Sequence, residues 1–458
     1  ALPLEFRRIF MEVRLARQNA HTFEKFIDSD FSAMFYAAMK PISICAIALA
    51  ALPVLGAPAA NYDEAKVPDA PLPDALAVPD GSFKASCALE WQSRARPKVA
   101  EFFESEVYGK RPPRPQRETF EIVESSDDAL GGKALRRQIK ITVADAKGEK
   151  SFIMLLYLPK SPAPAPVFVG LNFMGNHATA GDPEIIMPEW VRNTSLGGIK
   201  ISDNKPSEKY RGLQSRRWPY EKIISRGFGV ATIYYCDIYP DLEKADGAPQ
   251  SVYSIFKEPM NGAIAAWSWG LSRALDALET VPQADAKRAV AVGHSRLGKT
   301  ALHAAAFDGR FAGAVSNDSG CMGAALSRRQ FGETVEAITR QFPFWFSPNL
   351  NKWAGREAEM PADQHQMLAL VAPRPLYVAS ASEDLWADPR GEFLSLAEAS
   401  KVYALFGAKN LPSEENFAIE KPFIGDVGYH MRKGRHDMVE YDWENFCSFF
   451  SKALPQPR

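Results

Sequence analysis

Ser295 closes an apolar run, Ala289-Val-Ala-Val-Gly293, and is followed by Arg296-Leu-Gly-Lys299 and a stretch holding Ala304, Ala305 and Ala306. The apolar run reads as a short buried strand, and residues 297–307 read as a helix. A serine on the sharp turn between them carries its hydroxyl clear of the strand end. The chemistry such a hydroxyl supports is acyl transfer, provided a base takes its proton. The helix behind it points free N–H groups and its positive dipole end at the place where a carbonyl oxygen gains charge during attack. The N–H of Arg296 is placed for that oxyanion, and its guanidinium either adds charge there or lies at the surface. Lys299, one turn further, points to the pocket rim or into solvent. The glycines are spaced G-x-S-x-x-G, with Leu297 where a glycine is more usual. The pattern draws its meaning from the strand and helix around it.

The base must be a histidine, and the chain has seven. His21 precedes an apolar N-terminal run. The side chain of His294 diverges from that of its neighbour Ser295. His303 lies two helical turns away, His177 follows the strand-like run 167–172, and His365 precedes a helical run. His436, in Gly434-Arg-His-Asp-Met438 just before a terminal helix near 439–450, is the candidate base, with His430 in reserve. Chains built on this turn run in the order serine, acid, histidine. Two acids qualify: Asp318 after Phe311-Ala-Gly-Ala-Val-Ser-Asn317, and Asp384 after Pro375-Leu-Tyr-Val-Ala-Ser-Ala381. Both stand at strand ends from which a carboxylate can orient an imidazole. The spacing leaves the choice open.

Positioning these groups requires a sheet. Strand-like runs occur at 119–124, 135–143, 151–158 and 167–172, with a hairpin signal at Asp145-Ala-Lys-Gly148. Further strands at 229–235, 289–293, 311–316 and 376–381 alternate with helical patterns, including an amphipathic one at 261–279. A helical stretch near 91–107 precedes them all. This alternation predicts an α/β fold with a mostly parallel sheet between two helical layers, and a site at the carboxyl ends of the strands. With the elbow and the residue order, it is the α/β-hydrolase arrangement.

The chain has 458 residues, 46% hydrophobic and 24% charged, with a formal net charge of −1. That balance provides no field for nucleic acid or an anionic membrane. The basic cluster Arg211–Arg217 reads as a solvated loop or as a contact for an anionic substrate. Met39-Lys40, the apolar run 41–55 and Ala57-Pro-Ala-Ala60 read as a signal peptide spanning 39–60. It implies a secreted or periplasmic enzyme with no membrane attachment after cleavage. Residues 1–38 read as an upstream, non-native extension, 61–90 as an extended, unpacked lead-in, and 91–458 as one catalytic domain, expected to act as a monomer. Disulfides among Cys87, Cys236, Cys321 and Cys447 are permitted by export. No C-x-x-C or H-E-x-x-H pattern calls for a metal, and no cofactor is expected.

Gly293-His-Ser-Arg-Leu-Gly-Lys299, Ser316-Asn-Asp-Ser-Gly-Cys321, Arg328-Arg-Gln-Phe-Gly-Glu-Thr334, Phe342-Pro-Phe-Trp-Phe346, Asp384-Leu-Trp-Ala-Asp-Pro389 and Gly434-Arg-His-Asp-Met438 together resemble the bacterial glucuronoyl esterases of carbohydrate esterase family 15. The resemblance runs from about Trp91 to Phe450. It implies hydrolysis of esters that join 4-O-methyl-glucuronic acid on xylan to lignin alcohols. It assigns Ser295 as nucleophile, His436 as base and Arg296 as oxyanion stabiliser. It places an acid at Asp318, where most members have glutamate, and a second at Asp384. It matches Lys299, Glu333, Trp386 and Gln341 to contacts with the glucuronoyl sugar. Three departures stand out. His294 replaces the cysteine of fungal members, so that disulfide should be absent. Asp318 is one methylene short, which would shift the work to Asp384. Phe344 replaces a polar or histidine residue at the substrate rim. The competing readings are another exported carbohydrate esterase, such as an acetyl-xylan esterase, and a non-catalytic glucuronoxylan-binding relative.

Overall fold

The computed structural model describes residues 60–196, 199–243 and 248–454. The expected extension at 1–38 and signal peptide at 39–60 lie outside the described residues, except Ala60. One ten-stranded sheet organises the rest. Its strands in chain order are β1 (Arg117–Asp128), β2 (Ala134–Asp145), β3 (Gly148–Pro159), β4 (Ala165–Asn172), β5 (Gly229–Tyr234), β6 (Ala284–His294), β7 (Gly313–Asn317), β8 (Leu376–Ala381), β9 (Phe423–Ile424) and β10 (Gly428–Arg432). Across the sheet they run β1-β2-β3-β5-β4-β6-β7-β8-β10-β9. The first three pair antiparallel, β3 meets β5 antiparallel, and the six strands from β5 to β10 are parallel. The expected hairpin is present: Asp145 pairs with Gly148 across Ala146-Lys147. This is the α/β-hydrolase fold that the alternation of runs predicts.

Side-chain alternation shows why the sheet is covered twice. Met154, Leu156 and Leu158 face one core, whereas Leu155 and Tyr157 face the other. Ala289 and Ala291 likewise oppose Val290 and Val292. A strand apolar on both faces must be buried on both. The first face is covered by α1 (Arg96–Phe102), α3 (Ala263–Leu278), α4 (Arg296–Phe307), α6 (Gln364–Ala369) and α7 (Pro389–Leu405); the second by α2 (Tyr220–Ser225) and α8 (Glu440–Ala453). Ala304, Ala305 and Ala306 of α4 are all buried, which allows close approach to the sheet.

Several expectations need correction. The lead-in is not loose: Ala75, Val78 and Ala85 are buried in the first core, and Ala77 bridges Lys84. Its small apolar residues recur among prolines, a pattern that composition alone disguises. The helical stretch before β1 is broken into π-turns at Trp91–Ala95 and Phe103–Tyr108 around α1. Helix α3 forms where expected, but its polar side is buried as well as its apolar one. Its polar positions find partners instead: Arg273 pairs with Glu118 and with Asp276 at 2.9 Å. Strand β10, which carries His430, was not anticipated. Among the described residues the four cysteines are free, and only Cys87 is exposed.

Candidate active site

The parallel strands end together at one rim, at Asn172, His294, Asn317, Ala381 and Arg432. Ser295 sits between β6 and α4 with φ 60° and ψ −131°, a left-handed conformation that a non-glycine residue adopts only under constraint. Its N–H donates to Asn317 O at 2.9 Å, tying the turn to β7. Gly293 makes this turn possible. A Cβ there would lie 1.9 Å from Leu297 O and 2.7 Å from Gly298 N. Gly293→Ala is therefore expected to lower stability by about 3 kcal/mol or more, the upper range for overpacking, and to abolish turnover with it. A urea titration alongside an ester assay checks this.

His436 lies in the loop after β10. Its Nδ1 is 2.5 Å from Asp384 Oδ2. Its ring centroid is 4.4 Å from that of His294, the residue before Ser295, so the imidazole stands over the elbow. Arg432 holds the loop in place by donating to the carbonyls of Arg435 and Asp437, both at 2.6 Å. Ser382 N donates to Arg432 O and Glu383 N to Gly434 O, each at 2.9 Å, which fastens the Asp384 loop to the His436 loop.

Asp318, the other candidate acid, is engaged differently. Its Oδ2 accepts from Arg432 Nη2 at 3.2 Å and from Asp437 N at 3.3 Å. Burial raises its pKa well above the usual carboxylate range, and Glu392 adds to this while Arg432 opposes it. Asp318, Asp384 and His436 offer ligand atoms within 4.8 Å of one another, and are the one such group among the described residues. The Nδ1 that faces this group is already committed to Asp384. His430, the reserve base, is a core residue instead: its Nε2 meets Asp442 at 2.8 Å and its Nδ1 meets the Tyr377 hydroxyl at 3.0 Å. Burial and the nearby His436 hold His294 well below the usual histidine pKa, so it is neutral.

A polar floor lies beside the elbow. Lys299 is buried rather than at the rim. Its Nζ donates to Ser319 O at 2.5 Å and Cys321 O at 2.6 Å, and stands 4.0 Å from Glu333 Oε2. Burial lowers the Lys299 pKa and raises that of Glu333, each opposed by the other's charge. The Glu333 N–H donates to Trp386 O at 2.9 Å, and the Trp386 side chain is 41% exposed. Gln341 ends α5 (Val335–Gln341) as an exposed residue with no side-chain hydrogen bond among the described residues. The next residue, Phe342, turns inward and stacks on Trp345 at 3.8 Å. Phe344 stacks nearly parallel to Tyr239. The basic cluster is solvated in part: Arg216 is largely exposed, whereas Arg211 and Arg217 are held against the protein. Arg211 donates to the carbonyls of Asp182 and Ile185, and Arg216 and Arg217 both pair with Asp437, next to His436.

Glu392 on α7 accepts from Ser319 N at 2.7 Å, Gly320 N at 2.9 Å and Ser380 Oγ at 2.7 Å, bracing the strand ends beneath the site. Burial pushes its pKa up to about 8. In the unfolded chain it ionises near the ordinary glutamate value. Between the two values the native state binds the extra proton, so stability falls as pH rises from about 5 to 8. Glu392→Gln keeps the shape and removes the ionisation, and should flatten that fall. Urea midpoints at intervals across the range test it, and an unchanged slope would count against the assignment.

Sequence reasoning missed Arg432, Asp437, Glu392 and Asp241. Arg432 and Asp437 flank the histidine loop, and Asp241 lies just after a strand's carboxyl end, so placement was an available signal for three of the four.

The sheet, the strained serine turn and the His–Asp pair above it define a hydrolase of the α/β-hydrolase fold. A family model described as "Glucuronyl esterase, fungi" matches residues 220–407. Carbohydrate esterase MZ0003, from an unknown prokaryotic organism, is 43% identical over 381 residues, covering 82% of this chain and 87% of that protein. Among solved structures, a promiscuous CE15 esterase from a marine bacterial metagenome is 41% identical with a TM-score of 0.79, covering 86% of this chain and 100% of the other. A glucuronoyl esterase from Solibacter usitatus is 43% identical with a TM-score of 0.78, covering 85% and 100%. The chain belongs to the glucuronoyl esterases of carbohydrate esterase family 15, and is a carboxylic-ester hydrolase.

Proposed function

We propose that this enzyme cleaves esters of 4-O-methyl-glucuronic acid in glucuronoxylan, including those to lignin alcohols, with Ser295 as nucleophile. The observation that carries this is the 2.5 Å contact between His436 and Asp384 directly above the Ser295 turn. Asp384 holds Nδ1 protonated and leaves Nε2 free as the base. His436 takes the Ser295 proton as Oγ attacks the ester carbonyl. The Arg296 N–H and guanidinium stabilise the tetrahedral oxyanion. His436 then protonates the departing alcohol, and water, activated by the same imidazole, releases the uronic acid from the acyl-enzyme.

Substrate class follows from the floor. Lys299 and Glu333 are buried and fixed, and can donate to and accept from ring hydroxyls, while the exposed indole of Trp386 offers an apolar face to a pyranose. A simple acetyl esterase needs none of the three. Among the described residues no helix is long and apolar enough to cross a membrane. With the leader-like run at 39–60, this supports an exported enzyme. The test compares benzyl glucuronate with acetylated xylan and short acyl nitrophenyl esters. Turnover of the glucuronate ester, lost in Ser295→Ala, is expected. Cleavage of acetyl esters alone would transfer the assignment to the rival esterase, and binding of glucuronoxylan without any turnover would make the chain a binding protein.

A further inference from the structure

Asp241, in the loop after β5, is fully buried, and four donors from separate segments converge on it. Trp345 Nε1 donates to Oδ1 at 2.6 Å, and the Tyr235 hydroxyl to Oδ2 at 2.9 Å. Arg296 Nη1 pairs with the same Oδ2. Arg192 reaches Oδ2 at 3.5 Å, and its Nε donates to the Asp241 carbonyl at 2.8 Å. The Trp345 indole does double service, since its ring lies 4.5 Å from the Arg296 guanidinium carbon. Arg296 is thus held in two senses: the carboxylate sets the direction of its fork, and the indole face sets its plane. Only Nη1 is consumed by Asp241. The Nε of Arg296 is buried without a partner among the described residues.

We infer that Asp241 is a positioning residue: it aims the Arg296 guanidinium, through Nη1, so that its remaining donors face the developing oxyanion of the ester. A long, flexible arginine gives little to a transition state unless its fork is already oriented, and a displacement of about 1 Å can cost about 100-fold in rate. A carboxylate placed only to fill the core would have no need of the side chain next to the nucleophile. The inference rests on the assignment of Arg296 as oxyanion stabiliser.

The experiment is a double-substitution cycle on benzyl glucuronate, reading kcat and KM separately. Asp241→Asn in the native background is expected to lower kcat about 10- to 100-fold, with KM changed less than about threefold. In an Arg296→Ala background the same substitution should lower kcat no further. Equal losses in both backgrounds, or an effect on KM alone, would show a merely structural role and overturn the inference. If Arg296→Ala itself leaves kcat intact, the oxyanion assignment fails, and the inference with it. Should Asp241→Asn fail to fold, Trp345→Phe keeps an aromatic face and removes the donor to Oδ1. Its kcat loss should likewise vanish in the Arg296→Ala background, and a loss that persists there overturns the inference.

Discussion

Ser295→Ala is expected to lower kcat on a glucuronoyl ester by about a million-fold while leaving the fold and KM-scale binding in place. The hydroxyl is the only group at the elbow that can form the acyl-enzyme, and no other described side chain shares its place between β6 and α4. Rate and stability should also separate here. Ser295 is held at φ 60°, where a side chain costs about 1–3 kcal/mol. Ser295→Gly should therefore raise the urea midpoint even as it abolishes turnover. Single-turnover kinetics and denaturant titration on the same preparations check both. Substantial turnover in the alanine variant would remove the nucleophile from the proposed mechanism.

Asp384→Asn is expected to lower kcat by about 10,000-fold, and Asp318→Asn by about tenfold or less. The two carboxylates differ in partner rather than in distance from the rim. Asp384 meets Nδ1 of His436 directly, so an amide there lets the imidazole settle in the wrong tautomer. Asp318 faces Arg432 and the Asp437 N–H, so an amide there retains an acceptor oxygen and only loosens the loop that carries His436. A loss at 318 equal to that at 384 would make Asp318 the working acid. Measuring kcat for both variants against one ester, with their stabilities matched, decides it.

Much of this site was legible one residue type at a time. The elbow could be read because a run of small and β-branched residues, a serine and an alanine-rich stretch are local signals whose geometry the backbone dictates. His436 could be placed by elimination and chain order. The packing of the lead-in is not legible in sequence, because its few buried residues, Ala75, Val78 and Ala85, are small and dispersed among prolines, leaving no period to detect. Helix α3 reads as amphipathic because its polar residues show a pattern, but the pattern does not say what will bury the polar side. Nothing local reveals that Glu118 and the segment before β1 will cover them.

The amino-acid order by itself determined the class of fold and put forward a serine, a histidine and a short list of acids for the site. These depend on periodicity and on turns spanning fewer than ten residues or so, where covalent geometry leaves few choices. Only the tertiary structure pairs Asp384 rather than Asp318 with His436, places His430 in the core, draws Lys299 beneath the site and joins Asp241 to Arg296. Each of those outcomes depends on which strand ends lie side by side. That adjacency arises from packing between residues 12 to 114 positions apart, for which the chain carries no local signal.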